Sequence, residues 1–230
     1  MYLLKRKKFA EEQRKVLSQT VEQSPVSIET TDVNGVITYV NQCYINGSGY
    51  EPSKLLGNKP GILKSGYHNT TLYDDLWATI TAGKHWVGEF NNKRKNGETF
   101  WARANIYPLK NTKNEISSYV AIKEDITRSK EDEKKLRLAS TVFQTATEAV
   151  MVTDANNLIV AVNQAFTLIT GYQKAEALGK GPELLSSGHH DVDFYKDMNH
   201  ELTTTGKWQG EICNRRKNGE VYYEWLSIPH

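Results

Sequence analysis

The residues best placed to do chemistry sit on one expected strand and one expected helix. Trp86, Gly88, Phe90 and Asn92 alternate along a run of strand formers, so a two-residue period puts all four on one face. Asn92 brings a carboxamide, which both donates and accepts hydrogen bonds. Gly88 would leave room beside it for a ligand. On the preceding helix Tyr73, Leu76, Trp77 and Ile80 recur at i, i+3, i+4 and i+7, one apolar stripe. Trp77 is then either a core aromatic or the flat wall of a pocket. The chemistry these groups offer is recognition by stacking and hydrogen bonding. Catalysis finds no comparable arrangement: the chain has no glycine-rich phosphate loop, no Cys-x-x-Cys pair and no nucleophile elbow.

These groups belong to a unit that occurs twice. At a constant offset of 122 residues, Asp32 meets Asp154, Asn41 meets Asn163, Gly49-Tyr50 meets Gly171-Tyr172 and Trp86 meets Trp208. Arg94-Lys95-Asn96-Gly97-Glu98 likewise meets Arg216-Lys217-Asn218-Gly219-Glu220. A period this long describes two small domains rather than a solenoid, and 230 residues accommodate both. The copies differ at informative places. Trp77 faces Asn199, so the two pockets should differ in polarity and shape, whereas Asn92 has a twin in Asn214, which leaves a strand-end role open for it.

Each copy reads as β-β-α-α-α-β-β-β. In the first, strands over 26–31 and 36–40 flank an Asp32 to Gly35 turn whose Asn-Gly pair suits positive φ at both positions. Pro52 and Gly57 bracket a short helix, and Thr70 or Thr71 can cap the long one. Strands over 85–95, 98–109 and 116–126 complete an antiparallel sheet with helices gathered on one face, an α+β class. The second copy ends inside its fourth strand, so it lacks the last one, and the chain is expected to be part of something longer. Charge-rich segments at 1–21 and 128–143 read as helices, giving domains at 22–127 and 144–230. They serve either as solvated linkers or as dimerising signalling helices.

Bulk properties narrow the partners. A net charge of +2, from 29 basic and 27 acidic residues, argues against nucleic-acid binding. No apolar run approaches the roughly 20 residues of a membrane span. Cys43 and Cys213 occupy non-equivalent positions, which suits a reducing, cytoplasmic setting rather than a disulfide framework.

The order of these elements resembles a PAS sensor domain, twice: the Asp32 to Gly35 turn, Val40-Asn41, Gly49-Tyr50, Leu56-Gly57, Trp86-x-Gly88-Glu89, Arg94 to Gly97 and Glu124 to Thr127. The resemblance implies a five-stranded sheet cupping a pocket under short helices. It also implies a non-enzymatic sensory role that passes a signal to a kinase, cyclase or other output domain or response regulator, within a homodimer. More narrowly, Leu63-x-Ser65-Gly66, Tyr73-x-x-Leu76-Trp77 and the stretch from Trp86 to Lys95 resemble redox PAS domains that carry flavin, as in nitrogen-fixation regulators and a methane monooxygenase sensor kinase. By that resemblance FAD would bind in the first copy only, against Trp77, Asn92, Phe90, Gly88 and Ile62. An asparagine carboxamide matches a flavin's imide edge, and the protein would tune the ring's electronics. Pro60 stands where such regulators can carry an acidic residue near the flavin's reactive nitrogen, so the signal would leave by another route, through Asn92 and the strands. The alternatives are a cofactor-free pair of PAS domains acting as a dimerisation and coupling scaffold, or a sensor of a small metabolite or haem, of which haem is not expected. Haem PAS proteins place a histidine on the long helix, but His68 precedes it and His85 follows it, while His200 in the second copy shares a polar face with Lys196.

Overall fold

The computed structural model describes residues 2–229, with side chains from Lys7 to Pro229. The chain divides between Glu133 and Lys134 into two compact units. The first contains α1 (Tyr2–Glu22), β1 (Ser27–Thr31), β2 (Ile37–Val40), α2 (Gln42–Ser48), α3 (Pro52–Leu55), a 3₁₀ turn (Pro60–Leu63), α4 (Thr70–Thr81), β3 (Trp86–Lys93), β4 (Thr99–Lys110) and β5 (Ile116–Asp125), after which α5 (Thr127–Thr145) begins. The sheet order is β2-β1-β5-β4-β3, antiparallel throughout, so the last strand in sequence is the central one in space. Ala121 of β5 pairs with both Glu29 of β1 and Ile106 of β4. The core forms where α4 lays Leu76 and Ile80 on Trp86, Phe90, Ala104, Ile106, Tyr119 and Ala121. Burying such side chains supplies the main favourable term in folding.

The second unit repeats the pattern with β6 (Met151–Thr153), β7 (Ile159–Val162), α6 (Gln164–Thr170), α7 (Lys174–Ala177), a 3₁₀ turn (Pro182–Leu185), α8 (Val192–Thr205), β8 (Lys207–Arg215) and β9 (Val221–Pro229). Its strands form two separate ladders, β6-β7 and β8-β9. The physical reason follows from the first unit: the strand that joins the two ladders there is β5, and it has no counterpart among the described residues. The expectation of an α+β fold whose second copy lacks its last strand therefore holds.

An asparagine organises each unit. Asn41 is fully buried, accepts at Oδ1 from the backbone N–H groups of Ile28 and Tyr44, and donates Nδ2 to the carbonyls of Val21 and Val26. One carboxamide thus caps α2 and ties β1 to the end of α1, using its full donor and acceptor capacity. Asn163 repeats the arrangement with Val150, Phe166 and Glu148.

Two local expectations are corrected. In the 32–36 loop only Gly35 has positive φ, at 77°. Asp32 instead closes the loop, accepting from the backbone N–H groups of Asn34 and Val36, and a bulge at Thr30/Thr31 absorbs the longer connection. Nor does a threonine cap α4: the N-cap is Asn69, without a side-chain hydrogen bond, whereas Asp191 does cap α8 by accepting from the Phe194 N–H.

Candidate functional site

Between α4 and the sheet of the first unit lies a cavity of about 180 Å³. Trp77, Tyr73 and Leu76 from α4 form one wall, Phe90 and Asn92 from β3 another, and Tyr119 from β5 the back. Trp77 is 37% exposed and stands apart from the buried cluster that Leu76 and Ile80 join. Its indole meets Tyr119 edge-on, with centroids 5.9 Å apart at 87°. Tyr73 stacks on Phe90 at 6.0 Å and 15°, with Lys64 Nζ 3.5 Å above the Tyr73 ring. Burial pushes the Tyr73 phenol above its ordinary pKa, so it stays a neutral donor at physiological pH.

Gly35 explains how Trp77 reaches this position. A Cβ on Gly35 would lie 2.7 Å from Trp77 Cη2, a distance no side chain tolerates. The indole therefore rests against bare backbone of the hairpin loop. In the second unit both partners change together, to Asn157, which adopts positive φ at 59°, and Asn199.

The polar end of the cavity is the more telling part. Asn92 is 7% exposed, yet its carboxamide makes no hydrogen bond with any described residue. It faces the main cavity and also a smaller one, of about 90 Å³, toward Tyr44 and Cys43. A carboxamide that faces a cavity bonds whatever occupies it, water or ligand. Next to it Glu29 and Lys123 form a buried ion pair, Nζ to Oε1 2.6 Å, with side chains only 4% and 10% exposed. Glu29 Oε2 and the Tyr44 hydroxyl are enclosed without a partner in hydrogen-bonding geometry. Burial, and then the neighbouring Glu29 charge, pushes the Tyr44 phenol well above its usual value.

Of the five residues expected at the site, the structure brings together Trp77, Phe90 and Asn92 around the cavity. Gly88 does not line it. The space left by its missing side chain is filled by the Trp86 ring, whose Cη2 a Cβ on Gly88 would meet at 2.2 Å. Trp86 is fixed there by its Nε1–H bond to Asp75, 2.8 Å, and by stacking on Phe90. Gly210 and Trp208 repeat that contact, so this glycine serves packing in both units. Ile62 packs on the cluster of Ile37, Val40, Tyr44, Leu55 and Leu63, while its neighbours Pro60 and Gly61 reach the cavity. Glu29 and Lys123 were missed, although the signal was present. Tyr119, Ala121 and Lys123 share one face of β5 by alternation, and a lysine continuing an apolar inward run requires a buried partner.

The histidines are engaged elsewhere. His68 Nε2 accepts the Asn91 N–H at 2.7 Å, and His190 Nε2 accepts the Cys213 N–H at 2.9 Å. Together with Ser65 donating to the Asn91 carbonyl and Ser187 to that of Cys213, they cover the free edges of β3 and β8. No group of metal ligands occurs among the described residues, and no helix among them is long and apolar enough to cross a membrane.

Comparison with known proteins places this geometry. Residues 25–128 match the family described as PAS domain and residues 138–225 the one described as PAS fold. The chain belongs to the PAS family. Its first PAS domain holds the cavity lined by Trp77 and Asn92. The nitrogen fixation regulatory protein of Klebsiella pneumoniae is 31% identical over 150 residues, covering 64% of this chain and 30% of the relative. The aerotaxis receptor of Escherichia coli (strain K12) is 32% identical over 106 residues, covering 46% of this chain and 20% of the receptor. The chain therefore spans under a third of the length of these two curated relatives, both signalling proteins. A solved RNA-binding light-oxygen-voltage receptor shares the fold, with a TM-score of 0.50 at 22% identity over 55% of this chain and 37% of that one.

The residues present also fit the flavin implied by the sequence resemblance. An unpartnered carboxamide, a flat aromatic wall and an apolar lining complement a planar heterocycle with a carbonyl and N–H edge. About 180 Å³ suffices for a ring system's inner end, since dry cavities near 150 Å³ take up benzene.

Proposed function

We propose that the first PAS domain binds FAD and reports cellular redox state or oxygen, and that the second relays the signal to an output domain of a larger cytoplasmic, homodimeric signalling protein. The observation that carries this reading is the Asn92 carboxamide, which turns into a cavity walled by Trp77 with no side chain bonded to it. Such a group takes its partner from the cavity, and the edge of a ligand can supply it in place of water. Asn92 would hold the flavin's polar edge and Trp77 and Phe90 would flank its ring, while the bound flavin would supply reversible two-electron chemistry.

The route out of the site runs through β3. Glu89, on the opposite face of that strand, bonds Lys130 of α5 at 2.7 Å and Arg103 of β4 at 3.3 Å. Lys130 Nζ also sits 4.7 Å from the Trp101 ring centre, and the Trp101 N–H donates to Thr127 Oγ1. The Lys130 hydrogen bond, with help from Arg103, holds the Glu89 carboxyl below its usual pKa, so this link stays charged. A displacement of β3 would thus reach the start of α5. The exposed apolar residues of α1 and α5, among them Val16, Leu17, Leu136 and Val142, suit pairing with the same helices of a second copy.

The test is the visible spectrum of the purified chain after incubation with FAD. Oxidised-flavin bands that bleach on reduction and return in air support the reading, and Trp77→Ala and Asn92→Ala should each weaken binding at least tenfold. A folded, colourless protein would sink it.

A further inference from the structure

The two PAS domains carry the same asparagine on the same strand, but only one of the two is satisfied. In the second domain Asn214 is 6% exposed and its Nδ2 donates to Glu224 Oε1 at 2.7 Å. In the first, Asn92 has no such partner, because the position matching Glu224 is Ala102. The backbone frames coincide. Asn92 pairs with Phe100 and Ala102 with Phe90, just as Asn214 pairs with Tyr222 and Glu224 with Ile212. Positions 102 and 224 are therefore the same diagonal cross-strand neighbour of the asparagine, near enough for a side chain longer than alanine to reach it.

We infer that position 102 determines whether a PAS pocket of this chain accepts a ligand: Ala102 leaves Asn92 open for one, whereas Glu224 occupies Asn214 as a built-in ligand. The glutamate carboxylate supplies the acceptor that a ligand carbonyl would supply in the first domain. The class of ligand follows from what Asn92 then lacks. It needs an acceptor for Nδ2 and a donor for Oδ1 on adjacent atoms, the edge of a cyclic imide or amide. Ala102 is buried but lines the smaller cavity together with Asn92, so there is space there for a longer side chain to reach the carboxamide. The second domain differs consistently elsewhere, with Asn199 in place of the wall Trp77 and Met151 in place of Glu29. This inference refines the flavin reading above but is stated for any imide-edged ligand.

The experiment uses the full chain and the variants Ala102→Glu and, to avoid a buried charge, Ala102→Gln. FAD binding is measured by fluorescence titration, and the side-chain amide protons of Asn92 and Asn214 are followed by NMR hydrogen exchange. In the wild type, Asn214 amide protons should be protected and those of Asn92 unprotected. A folded position-102 variant should protect Asn92 and weaken FAD binding at least about tenfold, the worth of a hydrogen bond to a charged group. Glu224→Ala, on a half-exposed edge-strand residue, should strip protection from Asn214. Binding retained within threefold in a folded variant, or equal protection of both asparagines in the wild type, overturns the inference. If wild-type chain takes up no FAD, the flavin reading falls, while the amide comparison, which needs no ligand, still decides the role of position 102.

Discussion

Replacing Lys123 by methionine removes one member of the most deeply buried ion pair in the first PAS domain. The lysine is 9% exposed and Glu29 3%, with Nζ and Oε1 2.6 Å apart across the β1-β5 ladder. Both side chains are almost wholly withdrawn from bulk solvent. Breaking such a pair by deleting one partner leaves an uncompensated buried charge, a loss of about 3–5 kcal/mol, whereas replacing both partners with apolar groups is often neutral. Glu29 would be the worse orphan, because Oε2 already has no hydrogen bond. Lys123→Met should therefore cost about 3–5 kcal/mol, a large share of the about 5–15 kcal/mol that holds a domain folded. The double variant with Glu29→Met should recover most of that, since Met151 already fills the matching place in the second domain. The assay is hydrogen exchange at increasing urea, read on peptides from β1 and β5 so that only the first domain reports. A single variant costing under about 1 kcal/mol, or a double variant costing the sum of the two singles, would refute the claim that the pair is buried and mutually dependent.

Gly35→Ala should destabilise the first domain by about 1–2 kcal/mol, the cost of left-handed backbone for a residue with a Cβ, and should push Trp77 away, since the new Cβ would lie 2.7 Å from its Cη2; a shifted tryptophan emission together with weaker FAD binding would register both. Tyr39 holds the Glu22 carboxylate at 2.7 Å, and burial, followed by that hydrogen bond, raises its phenol to about 12. The folded state therefore keeps this proton more tightly than the unfolded chain, so the contribution is complete below pH 10 and is lost as pH rises toward 12. Thermal unfolding over that range should fall more steeply for wild type than for Tyr39→Phe. Asn41→Leu leaves two backbone N–H groups and two carbonyls without their partner; at about 1–3 kcal/mol for each orphaned buried group, circular dichroism should show the first domain largely unfolded.

How much of this was readable before folding depends on the kind of fact. The 122-residue repeat, the order of elements and the α+β class follow from hydrophobic period and turn residues, which act locally. Alternation likewise placed Phe90 and Asn92 on the inner face of β3, and helical spacing placed Trp77 on the inner side of α4. Period tells a residue which face it occupies and nothing about which neighbour it meets there. Gly88 and Trp86 share a face, but only the rotamer of the indole shows that the tryptophan fills the gap left by the glycine. Gly35 read as a turn residue, and its second task beneath Trp77 depends on a helix distant in sequence.

The asparagines mark the boundary most clearly. Asn92 and Asn214 look identical in sequence, each ahead of the same Arg-Lys-Asn-Gly turn. The turn fixes the register of its hairpin, so the diagonal relation to Ala102 or Glu224 was in principle available from the chain. What required the tertiary structure was that Glu224 reaches Asn214 and that nothing reaches Asn92. A hydrogen bond depends on distances of tenths of an ångström between side chains on different strands, and those distances are set by sheet twist, register and packing acting together. The chain determined two PAS domains of one pattern; the packing decided that one keeps its carboxamide open and the other closes it.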